Sequence, residues 1–163
     1  MEQSASQEQD EVGRELERFV HSLRIRLGEA AVIKSKWLNP RILLTEIVPE
    51  AAKACYVSIT EMGKNELIVN VGAGGIWELS RSIDSLEFFK SVVESSVRGD
   101  VVDTLGLERA NTRVTFPDGT YKTTTSRNSL GGIIPTPGWR RWGRKVRYGP
   151  YQSGETNQRV KPG

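Results

Sequence analysis

The sequence predicts an α+β fold: a mostly antiparallel sheet of five to six strands, two main helices packed on it, and a disordered basic C-terminal tail. Three observations carry that expectation. Apolar residues recur at helical spacing in residues 11–33 and again in 84–98. Short β-branched runs alternate in polarity around them and are joined by glycine or proline turns. From Ser126 onward the periodicity stops, and Gly131, Gly132, Pro135, Pro137 and Gly138 break any regular element.

In chain order, Met1 to Asp10 is polar and acidic and is expected to be disordered, with no apolar signal core. From Glu11 the helical period begins. Val12, Leu16, Phe19, Val20, Leu23 and Leu27 fall on one face, and the helix is expected to run to Ile33. His21 lies on the far side near Arg14, Glu17 and Arg18, so it reads as a surface histidine rather than a catalytic or metal-binding one. Trp37 is expected to anchor the core between helix and sheet, and Pro40 biases Asn39 away from helix. Arg41 to Val48 reads as a strand ended by Pro49, with a buried helical turn as the alternative. Ala54 to Met62 reads as another strand, with Cys55, Val57 and Ile59 on one face and Cys55 as a small buried hydrophobe.

Glu66 to Gly99 is the organising stretch. Leu67, Val69 and Val71 share one strand face. Gly72-Ala73-Gly74-Gly75 turns the chain, and Trp77 and Leu79 continue on a return strand. A phosphate-cradling glycine loop needs a helix N-terminus directly after the glycines. Here a strand follows, and there is no Gly-Lys-Ser/Thr, so the loop reads as a hairpin. The helix comes later. Asp84 is the expected cap, Glu87 completes a capping box, and Ile83 with Phe88 has the spacing of a hydrophobic staple. Leu86, Phe89, Val93 and Val97 mark its apolar stripe, and Gly99 its stop. The stop accounts for the adhesion-like tripeptide Arg98-Gly99-Asp100. Val101 to Leu105 is expected as a short helical turn. Thr112 to Phe116, the turn Pro117-Asp118-Gly119 and Thr120 to Thr125 form a second hairpin, its return strand at a sheet edge. The organisation is thus residues 1–10, a single domain over 11–125, and a flexible tail over 126–163.

Composition bounds the function. No segment approaches the roughly 20 apolar residues of a membrane span, and the single cysteine fits a reducing compartment, so a cytoplasmic location is expected. One histidine and one cysteine cannot build a His/Cys metal cluster, and no catalytic spacing of titratable groups is visible. The expectation is a protein without enzymatic activity, metal or cofactor. Residues 126–163 hold eight cations against Glu155 alone, a net of +7, while 1–125 hold fifteen cations against nineteen carboxylates, a net of −4. The acidic body suits a basic protein partner. In the tail, Trp139, Arg140, Arg141, Trp142, Arg144, Lys145, Arg147 and Tyr148 interleave cations with aromatics, the composition of a nucleic-acid-binding segment; a basic tail that aids solubility or docks on the acidic body is an equal reading.

The element order is helix, three or four strands, helix, two strands. Over residues 11–125 it resembles the effector-chaperone fold of bacterial secretion systems and also many small immunity proteins that neutralise toxins. The chaperone pattern ends with a further helix, whereas this chain ends in a proline- and glycine-rich basic stretch. The resemblance therefore implies immunity-type neutralisation of a toxin partner first. A chaperone-like binding protein comes second, and nucleic-acid binding through the tail third.

Overall fold

The computed structural model describes residues 2–106, 109–127 and 143–152. Helix α1 (Glu2–Leu27) buries Val12, Leu16, Val20, Leu23 and Leu27, the face its 3.6-residue period marks. A five-stranded antiparallel meander follows in sequence order: β1 (Ala31–Asn39), β2 (Ile42–Pro49), β3 (Val57–Met62), β4 (Glu66–Val71) and β5 (Gly75–Ser80). Helix α2 (Ile83–Arg98) comes next. A second antiparallel sheet is then built from β6 (Val101–Leu105), β7 (Arg109–Thr115), β8 (Tyr121–Arg127) and β9 (Arg144–Arg147), in the order β8-β7-β6-β9. The chain is an α+β protein of two helices and two antiparallel sheets.

Alternation decides which sheet face is buried. Ile47, Val57, Ile59, Leu67, Val69 and Val71 point to one side and join the apolar faces of both helices in a common core. Phe89 of α2 is its largest fully buried side chain and meets Phe19 of α1 edge to face, with centroids 5.9 Å apart. Val101 and Val114 extend the core to the second sheet. Ion pairs lace the two helices at the surface, Arg26 to Glu94 at 2.6 Å and Lys90 to Glu15 at 3.8 Å. Such exposed pairs add little stability.

Several sequence expectations are corrected. The helical backbone runs back to Glu2, through the stretch expected to be disordered, because Glu, Gln and Ala favour helix there. It ends at Leu27 rather than Ile33. Gly28 breaks it, and β-branched Val32 and Ile33 open β1 instead. Trp37 is consequently a strand residue, 63% exposed, and not a core anchor. Val101 to Leu105 is strand β6, not a helical turn. Its alternation was masked because the inward position between Val101 and Leu105 holds Asp103. The cap of α2 is Ser82, whose Oγ accepts from the Ser85 N–H at 3.3 Å, so Asp84 lies inside the first turn. The strands form two sheets rather than one of five to six.

The C-terminal half differs most. Beyond Ser126, the stretch expected to leave the body as a tail includes β9, which pairs with β6 from Leu105↔Arg144 to Val102↔Arg147. Tyr148 to Tyr151 then crosses back over the body. The Gly149 N–H donates to the Lys53 carbonyl at 2.8 Å and the Tyr151 N–H to the Val97 carbonyl at 3.0 Å. Tyr151 is buried, and its hydroxyl donates to the Cys55 carbonyl at 2.5 Å. Gly99, which ends α2 with φ +83°, makes this crossing possible. A Cβ there would lie 2.7 Å from the backbone of Gly149 and Pro150. Among the described residues, no helix is long and apolar enough to cross a membrane.

Candidate docking surface and the buried Asp103 cluster

Two places stand out chemically. The first is the interior of the second sheet. Asp103 is 0% exposed and sits between three donors. The Thr112 hydroxyl donates to Oδ1 at 2.5 Å, while the Ala73 N–H and the Tyr148 hydroxyl each donate to Oδ2 at 2.7 Å. No cation among the described residues pairs with it. A carboxylate out of water needs such donors. The β4–β5 loop supplies one of them because Gly72 takes φ +60°. A Cβ at Gly72 would come within 2.6 Å of Asp103 Oδ2. The cluster thus ties three distant segments together: the glycine hairpin, β6–β7 and the C-terminal crossing.

Burial, then the Asp103 charge, pushes the Cys55 thiol up to about 12. Burial, followed by the hydrogen bond to Asp103 and its charge, holds the Tyr148 phenol well above its ordinary range. Burial, then the neighbouring Cys55, does the same for Tyr151. A protonated, enclosed thiol is a poor nucleophile. The cluster therefore acts as a clasp for the chain.

Two outcomes follow from these groups. Iodoacetamide should label Cys55 only slowly in the folded chain at pH 8 and at the free-thiol rate in concentrated urea. Rapid labelling of the folded chain would place the thiol at the surface. All three groups have folded pKa values above their unfolded ones. Their contribution to stability is present below the unfolded thiol value of 9.0 and is lost as pH rises from there towards 12. The urea midpoint should therefore fall between pH 8 and pH 11, and an unchanged midpoint would contradict the sign.

The second place is the outer end of the β1–β2 hairpin. Trp37 and Leu38, 63% and 51% exposed, are adjacent on β1, which is an edge strand paired only with β2 among the described residues. A cleft of about 430 Å³ is lined by Trp37, Pro40, Arg41, Gly63 and Lys64. Trp37 also lines a groove of about 260 Å³ between α1 (Leu16, Glu17, Val20, Arg24) and the first sheet (Ser35, Leu43, Thr45, Glu61). Trp37 is thus a large aromatic standing on a paired strand and lining two concavities, the setting of an interface anchor. Arg41 and Lys64 make the cleft cationic, whereas Glu17 and Glu61 stand beside Arg24 in the groove.

Of the residues singled out in the sequence, Trp139, Arg140, Arg141 and Trp142 lie outside the described residues. Arg144, Lys145 and Arg147 are exposed on β9, whereas Tyr148 turns inward to Asp103. His21 is exposed on α1, and Cys55 is buried, as the sequence indicates. Sequence reasoning missed Asp103, Tyr151 and the Trp37–Leu38 surface. A β1 assignment for residues 31–39 would have exposed the last of these, since nine strand residues with two lysines mark an edge. Among the described residues, no group of His, Cys, Asp or Glu is placed to hold a metal ion. No family model, curated protein or solved structure matches the chain.

Proposed function

We propose that the chain is a non-enzymatic protein-binding module that engages its partner through the Trp37–Leu38 end of β1. The observation that carries this reading is Trp37, a large side chain left exposed on an ordered edge strand and lining two concavities, with exposed Leu38 next to it in the chain. The element order leads to immunity-type neutralisation of a toxin as the first form of this reading, with Trp37 as the rigid anchor against a folded partner. The edge of β1, which pairs only with β2 among the described residues, favours a second form, chaperone-like capture of an extended segment by strand addition. Lys34 and Lys36 discourage pairing of this edge with a second copy of the chain, since like charges would meet. Local charge also refines the partner. The body as a whole is acidic, but Arg41 and Lys64 call for carboxylates on the segment that docks here.

The test compares the intact chain with Trp37→Ser/Leu38→Ser in co-purification from lysate of its native cell. The double variant should keep its melting temperature and lose the partner. For a hot-spot tryptophan the affinity should drop by about 30-fold or more. An unchanged partner profile with the double variant would remove this surface from the function.

A further inference from the structure

We propose that the outward face of the second sheet binds single-stranded nucleic acid. Val101, Asp103, Thr112 and Val114 are buried, so the alternate residues of β6 and β7 point away from the core. Register then carries the same face across β8 and β9. Its cations are Arg109 and Arg113 on β7 and Lys145 and Arg147 on β9, and its aromatic is Tyr121 on β8. Thr104, Asn111 and Thr123 stand between them, and no strand position on this side holds Asp or Glu.

The arrangement is ordered by the ladder. Arg113, Val102 and Arg147 are register partners in one row across β7, β6 and β9, and Asn111, Thr104 and Lys145 form the next row. Adjacent strands lie roughly 5 Å apart, so the two arginines of the first row are held roughly 10 Å apart. Among the described residues, no carboxylate pairs with Arg109, Arg113, Lys145 or Arg147. The outward face of the first sheet is different: Lys34 there stands opposite Glu46, and Glu66 and Glu78 share that side. The positive character is therefore a property of one sheet face, and only Lys145 and Arg147 of it come from the segment that the sequence marks as basic and aromatic.

Three features select single-stranded nucleic acid from other polyanions. Tyr121 is 59% exposed, and the Arg113 guanidinium lies over its ring, 5.4 Å from the centroid, an exposed aromatic–guanidinium pair that can stack with a base. Unpaired bases can stack on such a pair, whereas duplex bases cannot reach it. The threonine hydroxyls and the Asn111 amide offer donors and acceptors to base edges, with the cations positioned for phosphates. An acidic polypeptide would use the cations alone.

Fluorescence anisotropy of a labelled oligothymidylate, titrated with the intact chain at low and moderate salt, tests the proposal. Saturable binding that weakens with salt is expected. Arg113→Glu/Arg147→Glu should weaken it about tenfold or more, and Tyr121→Ala about fivefold or more, with melting temperatures unchanged. Absence of binding at low salt would overturn the proposal. So would binding that is lost in Arg140→Glu/Arg141→Glu but untouched in Arg113→Glu/Arg147→Glu. Equal competition by a duplex or by polyglutamate, with no effect of Tyr121→Ala, would refute the single-strand form.

Discussion

Replacing Asp103 by alanine should destabilise the protein by about 3–5 kcal/mol, since each buried polar group left without a partner costs about 1–3 kcal/mol. The carboxylate is fully enclosed and accepts from Ala73 N–H, Thr112 and Tyr148. Alanine strands the first two donors in the interior and releases the third. Asparagine keeps one acceptor oxygen and places an N–H₂ against donors, so Asp103→Asn should cost less, about 2 kcal/mol. Urea unfolding gives the ranking. Hydrogen exchange gives the mechanism, because loss of the Tyr148 hydrogen bond should raise exchange across 144–151 more than across β2–β4. A cost below about 1 kcal/mol for the alanine variant would show that the cluster does not clasp the C-terminal crossing.

Phe89→Ala should cost about 3–5 kcal/mol, the usual range for removing a buried phenylalanine. Phe89 is 0% exposed, stands on α2 where both helices meet the first sheet, and packs edge to face on Phe19. Its loss leaves a void lined by residues that β-sheet pairing holds in place, so the site can collapse only partly. The urea midpoint should fall with an unchanged slope, as for loss of core packing without a change in exposed area. A cost under about 1 kcal/mol would place the ring outside the core. Leu86 and Val93 flank it on the same stripe and should respond in the same direction.

The value of these two residues was not equally visible beforehand. Phe89 follows directly from helical period, since Leu86, Phe89 and Val93 recur on one face and that face is buried. Asp103 offered no signal, because a carboxylate inside an alternating run reads as a break in the run. The donors that make it tolerable come from Ala73, Thr112 and Tyr148, residues remote in sequence. Trp37 was misplaced for a related reason. Aromatic size argues for burial, and only the end of α1 at Leu27 and the edge position of β1 leave the indole outside.

By itself, the sequence determined what depends on neighbours along the chain. These are the apolar faces of α1 and α2, the glycine and Pro-Asp-Gly hairpins, the stop at Gly99 and the α+β class. Each rests on a period of 2 or 3.6 or on local turn chemistry, which a chain carries without reference to its distant parts. Tertiary structure decided what depends on pairing across long separations. It divided the strands into two sheets, brought Arg144–Arg147 back beside β6, buried Tyr151 against Cys55, and gathered Arg109, Arg113, Lys145 and Arg147 on one face. Register sets such contacts, and register is fixed only when strands close their hydrogen bonds and one face finds the core.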